Sequence, residues 1–198
     1  NNYLKTHAFL QPAETRDDTA SLELRYRPTD PLTFKVGVKR ATKQGHRPLG
    51  AALGFSNALE VLEPIDYVSH DLEAELEYAT ARYQASLRYE FSDFENNTQS
   101  LTWDSPRRYT DQAFNATGYS NGTNSSRGRM ALNPSNQMHT FTLAGGAELS
   151  ENTRFSGDAS YGLLSSHNPM QPYTINTAIN QTLAGAFNPG FDASKPGS

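Results

Sequence analysis

Asp71, Glu73, Glu75 and Glu77 form the densest set of chemistry-bearing side chains in the sequence, four carboxylates at every second position. Such a row suggests a cation site or acid–base chemistry. A hard-cation site needs oxygens converging from several directions. A period of two lines these four along one flat strand face instead, so no metal site is expected there. The Asp/Asn-rich stretches match no EF-hand spacing. A hydrolase needs a nucleophile, a histidine and an acid meeting at one point. His70 and His139 fall on apolar strand positions, and His7, His46 and His167 lie in weak or loop-like segments. No GxSxG, HExxH, Walker or GxGxxG pattern occurs. No catalytic, cofactor-binding or metal-ligating residue is therefore assigned, and the chain is not expected to be an enzyme. Asn-x-Ser/Thr triplets at Asn96, Asn115, Asn121, Asn124 and Asn180 are what polar loops contain by chance.

The carboxylate row sits in a strand pattern. Leu72, Ala74, Leu76 and Tyr78 alternate with the four acids, and Tyr83, Ala85, Leu87, Tyr89 and Phe91 alternate with Gln84, Ser86, Arg88 and Glu90. A helix would place positions 72 and 74 on nearly opposite sides, so the spacing predicts a β-hairpin over about 67–92. Glu73 is expected to face Arg88 across it. A second hairpin is expected over about 19–40, with Pro28-Thr29-Asp30-Pro31 as its turn, and a third over about 137–165, turning at Ser150-Glu151-Asn152. Residues 3–10 could add a short strand. Long loops are expected over about 41–66, 93–136 and 166–198, the second containing a near-low-complexity Asn/Gly/Ser/Thr tract at 121–126.

Composition narrows the class. The chain has 198 residues, only 36% hydrophobic, which is thin for a globular core of that length, while Tyr and Phe number 10 each. A net charge of −4 leaves no electrostatic footprint for nucleic acid. There is no cysteine, hence no disulfide, zinc-thiolate site or CxxCH haem attachment in this chain. No apolar run is long enough for a transmembrane helix. The chain opens at Asn1 and closes in a polar Gly/Pro/Ser stretch, and reads as part of something longer.

Strand and loop lengths point to a membrane barrel. About ten residues rising ~3.3 Å each and tilted by ~40° span roughly 25 Å, the height of an outer-membrane apolar band. Short turns at one end and long loops at the other are the topology of that class. The expected fold is all-β: about 6–7 strands of a larger antiparallel up-and-down transmembrane β-barrel, with short periplasmic turns and long extracellular loops. The apolar face, with Leu22, Leu24, Phe34, Val36, Leu72, Leu76, Leu87, Phe141, Leu143, Phe155 and Tyr161, is expected to meet lipid. Tyr26, Tyr78 and Tyr83 near the turns, and Tyr67, Tyr89 and Phe91 at the other strand ends, would form interfacial girdles. The opposite face carries Glu23, Arg25, Lys35, Lys39, Asp71, Glu73, Glu75, Glu77, Arg88, Glu90, Glu148, Arg154 and Asp158 and is expected to line a lumen. Six or seven strands cannot close a barrel, and an open edge cannot face lipid.

Residues 133–162, Asn-Pro-Ser-Asn-Gln-Met-His-Thr-Phe-Thr-Leu-Ala-Gly-Gly-Ala-Glu-Leu-Ser-Glu-Asn-Thr-Arg-Phe-Ser-Gly-Asp-Ala-Ser-Tyr-Gly, resemble a hairpin of the MtrB/PioB family of outer-membrane β-barrels. Residues 31–40 and 67–91 are similar to earlier hairpins of that family, and the likeness covers under a third of a typical member. The N-terminal CxxC region of many members lies outside this stretch. The resemblance implies a bacterial outer-membrane location in a Gram-negative cell. It also implies a porin-like sheath that holds and insulates a multihaem c-type cytochrome for transmembrane, extracellular electron transport. The haem would then belong to a periplasmic partner in the lumen, with no cofactor in this chain, and a surface cytochrome could dock on the extracellular loops. The alternatives are an ordinary diffusion porin or substrate channel and a soluble glycan-binding β-sandwich.

Overall fold

In the computed structural model the described residues are 12–52, 58–105, 110–111, 125–166, 168–169, 171 and 175–178. Their regular structure is entirely strand: β1 Thr15–Thr29, β2 Leu32–Ala52, β3 Ala58–Ala79, β4 Tyr83–Asn96, β5 Ser100–Asp104, β6 Arg127–Ala131, β7 Asn136–Ser150 and β8 Thr153–Ser165. Six of them form one antiparallel sheet in the order β1-β2-β3-β4-β7-β8, and β5 and β6 pair separately. Consecutive neighbours and antiparallel pairing make this an up-and-down meander, the repeating unit of a transmembrane barrel wall. The sheet is not closed, because β1 and β8 remain its two edges.

The expected hairpins all form, around tight turns at Asp30-Pro31, at 80–82 and at Glu151-Asn152. Thr80 builds the middle turn by accepting Tyr83 N–H on Oγ1 at 3.0 Å and donating its own N–H to Tyr83 O at 2.8 Å. Pro28 does not end β1. It falls in a register shift between Tyr26 and Thr29, where a residue without an N–H costs no ladder bond.

The largest correction concerns residues 41–66. The expected loop there is instead strand up to Ala52 and again from Ala58, so β2 and β3 are 21 and 22 residues long. Pro48 and Pro64 suggest a break, yet each sits where its strand has a single neighbour. Pairing of β1 with β2 ends at Gly45 and pairing of β3 with β4 ends at Tyr67, so beyond these points β2 and β3 run on as a two-stranded ribbon with no third strand among the described residues. At the branch point Gly45 has φ +139°, and a Cβ there would lie 2.1 Å from Glu14 O, a position open to glycine alone. In the expected loop at 93–136, β4 continues to Asn96 and the short β5–β6 hairpin forms. The expected strand at 3–10 lies outside the described residues, as does most of 166–198.

The main sheet has no core. Leu22, Leu24, Tyr26, Phe155 and Tyr161 are 62–70% exposed, and among the described residues only Ala51, Ile65 and Leu101 are buried hydrophobics. A β-sandwich would bury one such face against a second sheet. Among the described residues the main sheet is a single layer with a bare apolar face.

Candidate functional site: the charged face of the sheet

The register sorts the side chains into two surfaces, because directly paired residues share a face. On the apolar surface Leu24, Val36, Ala74, Tyr89, Phe141 and Tyr161 form one cross-strand row, and Tyr26, Phe34, Leu76, Leu87, Leu143 and Ala159 form the next. Leu22, Val38, Leu72, Phe91, His139 and Leu163 close the belt on the side away from the turns. Phe155 pairs with Ala147 nearer the turns.

The other surface carries the charges. Arg25 pairs with Lys35, Lys35 with Glu75 and Glu75 with Arg88, continuing into Thr142 and Ser160. Glu23, Glu73 and Glu90 lie in the adjacent row, Lys39 pairs with Asp71, and Glu77 pairs with Thr33. Glu148 faces Arg154, and Asp158 faces Ala144. The expected Glu73–Arg88 opposition is off by one row: Glu73 lies opposite Glu90. Arg88 nevertheless reaches Glu73 diagonally, donating to Oε1 at 2.5 Å. That diagonal reach relieves the repulsion between two carboxylates placed directly across from each other.

The acidic row is tied down along its length. Lys35 Nζ lies 3.0 Å from Glu75 and 3.3 Å from Glu77, and Ser92 donates to Asp71 at 2.7 Å. These carboxylates point their lone pairs at neighbouring strands rather than at a common centre, so the row works as a lattice of cross-strand pairs. Charge is concentrated on β2–β4. The β7–β8 half of this face is sparser in charge: Thr140, Thr142, Gly146, Ser156, Ser160 and Gly162 are small and neutral, Thr142 and Ser160 are hydrogen-bonded at 3.1 Å, and Asp158 and the Glu148–Arg154 pair lie toward the turn.

Two histidines sit on the apolar side. His139 Nδ1 is hydrogen-bonded to Tyr89 OH at 2.9 Å, and its ring packs on Phe91 with centroids 4.9 Å apart. Tyr89→Phe strands a polar nitrogen in the apolar belt, which costs about 1–3 kcal/mol. A lowered urea midpoint with unchanged assembly is the expected measurement, and an unchanged midpoint would count against the pairing.

Beyond the belt the charged face passes into a buried cluster. Tyr67 carries the same parity as Asp71, so it does not join a girdle on the apolar side. It packs edge-on against Phe94, 5.2 Å between centroids, and its hydroxyl lies 3.4 Å from Glu63. Glu63 is 2% exposed and is held in a fork by Arg47, at 2.5 Å from Nε and 3.1 Å from Nη2. Asn96 is equally hidden, receiving Thr98 N–H and donating to Asn133 O at 2.8 Å. Nothing in local periodicity flags these residues, since their partners come from other strands and loops.

Asp111 adds a clamp. Its Oδ1 accepts Ser126 N–H and hydroxyl at 2.8 and 2.7 Å, and its Oδ2 accepts Thr177 N–H and hydroxyl, both at 2.7 Å. Partial burial alone would raise this carboxyl, but the four donors outweigh it and hold the group well below the usual carboxylate range. A depressed folded-state pKa adds stability that is fully present above the unfolded value of about 3.9 and is lost as pH falls through the folded value. Asp111→Ala is expected to speed hydrogen exchange at the Ser126 and Thr177 amides by an amount equal to about 2 kcal/mol. In the parent protein the same amides should loosen only in strong acid. Exchange unaltered by the substitution would remove the clamp from consideration.

The profile of the outer membrane beta-barrel porin family MtrB/PioB matches residues 5–192. The chain belongs to this family. It is also 34% identical over 110 residues to outer membrane protein MtrB of Shewanella baltica (strain OS185), a match covering 56% of this chain and 14% of that protein. The chain thus spans a small part of the relative's length. Membership places it in the outer membrane as part of a porin-like β-barrel, and the open six-stranded meander with one bare apolar face is what a section of such a wall looks like.

Proposed function

We propose that this section of wall meets lipid with its apolar face and lines a lumen with its charged face. The barrel around that lumen would sheathe a multihaem c-type cytochrome and insulate it for electron transfer across the outer membrane. The observation that carries the proposal is the two-faced single layer, in a chain of the MtrB/PioB family. The short turns would lie at the periplasmic end and the long ribbon and loops outside. Leu22, Leu24, Phe34, Val36, Leu72, Leu76, Leu87, Phe141, Leu143, Phe155 and Tyr161 would be the lipid contacts. A lumen wall with charges of both signs on β2–β4 and mostly small side chains on β7–β8 suits close approach by a folded protein. With no cysteine in the chain, c-type haem would be held by the partner.

The test is purification in detergent of the full-length protein that carries this chain. The sheath reading expects a haem-staining partner to co-purify and the complex to show little conductance in a planar bilayer. Steady ion conductance by the protein alone, with no haem protein bound, would establish the diffusion-porin alternative instead.

A further inference from the structure

The apolar belt ends abruptly on the side away from the turns. One row beyond Leu22, Val38, Leu72 and Phe91, the same face carries Arg40 paired directly with His70. These six residues are among the ten that line a groove of about 530 Å³ running from β1 to β4, Lys39 and Asp71 from the alternate positions being two of the others. Its floor is apolar, and its upper rim on this face carries the Arg40 guanidinium and the His70 imidazole. Arg40 makes no ion pair among the described residues. The nearest candidates on that face are otherwise placed: Asp18 is held by Arg16 at 2.8 Å, and Asp93 lies across from His70 on the strand away from Arg40. Arg40 and His70 are both exposed.

We infer that this groove binds the phosphate of a lipid headgroup in the leaflet on the loop side, with an acyl chain lying on Leu22, Val38, Leu72 and Phe91. The inference rests on the lipid-facing reading of the apolar surface. A free guanidinium at the boundary of a hydrocarbon belt presents a planar fork that matches phosphate oxygens. His70, whose Cβ lies about 5 Å from that of Arg40 as in any directly opposed pair, offers its imidazole as a second polar contact to the same group. The floor supplies affinity without specificity, and the rim selects a lipid that bears phosphate over one that does not. In an outer membrane whose long loops face outward, that leaflet is the outer one.

A photo-crosslinking residue at Leu24, in the belt just below the groove, tests both layers of the argument. The full-length protein carrying it is reconstituted in vesicles of phosphatidylcholine with diphosphoryl lipid A, or with lipid A stripped of phosphate. The expected result is capture of diphosphoryl lipid A well above its share of the bilayer, and of the stripped lipid only at its share. The combined change Arg40→Gln and His70→Gln should lower the excess about tenfold, the weight of a charge-assisted hydrogen bond, and Arg40→Lys should keep part of it. Both positions are exposed, so folding is not at issue. Capture of no lipid at all would overturn the lipid-facing reading itself. Capture of lipid without phosphate preference, or a preference untouched by the double change, overturns this inference alone. So does abolition of the excess by millimolar inorganic phosphate, which would mark a general anion site.

Discussion

Leu76→Arg and Leu87→Arg are each expected to keep the protein out of the outer membrane. The two leucines face each other across β3 and β4, with Leu143 next in the row, and rows of apolar side chains flank them on both sides. They are 37% and 49% exposed, with nothing among the described residues to cover them. An arginine facing lipid near the midplane of such a barrel costs about 2–4 kcal/mol. The measurement is the amount of heat-modifiable folded protein in the outer-membrane fraction. Glu75→Ala is the control from the opposite face, one residue away. It removes a partly exposed ion pair with Lys35, a kind of contact that contributes little, so assembly should survive. Normal insertion of both arginine variants together with failure of Glu75→Ala would show that the two faces have been exchanged.

The contrast between those neighbours shows what local sequence can reveal. Side-chain alternation is imposed by the backbone of a strand, so a period of two at 72–78 and 85–91 already divides the residues into the two surfaces that the register later joins. The positions of the short turns follow from the same pattern. Strand ends are less legible, because beyond the belt the sheet stops needing an apolar face. From Arg40 and His70 outward the alternation fades while the hydrogen-bond ladder continues. Pro48 and Pro64 mislead for a related reason: proline opposes a strand with two neighbours, and here β2 and β3 have one. Tyr67 shows how aromatic character misassigns a face when parity is not followed past the expected strand end. The contacts of Asp111 with Thr177 span 66 positions, and no short-range signal encodes a partner that distant.

The same ribbon supplies the other large effect, which concerns local rather than global stability. Arg47 and Glu63 are directly paired near the outer end of β2 and β3, past the last residues that β1 and β4 support. Burial of the pair is lopsided. Arg47 is 53% exposed along its side chain while Glu63 is at 2%. The fork from Nε and Nη2 therefore supplies most of the compensation for a carboxylate that has left water, and it raises the affinity of the guanidinium for its proton. Arg47→Ala removes the exposed partner and strands the hidden one, with only the long contact from Tyr67 remaining. An orphaned buried acceptor costs about 1–3 kcal/mol, and more when charged. Replacing both residues, Arg47→Met with Glu63→Leu, removes the charges together and should recover much of the loss. Exchange rates of the backbone amides at 46–51 and 59–63, Pro48 excepted, read the effect, since a two-stranded ribbon opens without unfolding the six-stranded sheet. Faster exchange confined to the ribbon in the single variant, and its reversal in the double, is the expected pattern. Equal exchange in the single variant and the parent would mean that Glu63 keeps its place without the fork, and that the packing around Ile65 and Tyr67 is what holds the ribbon together.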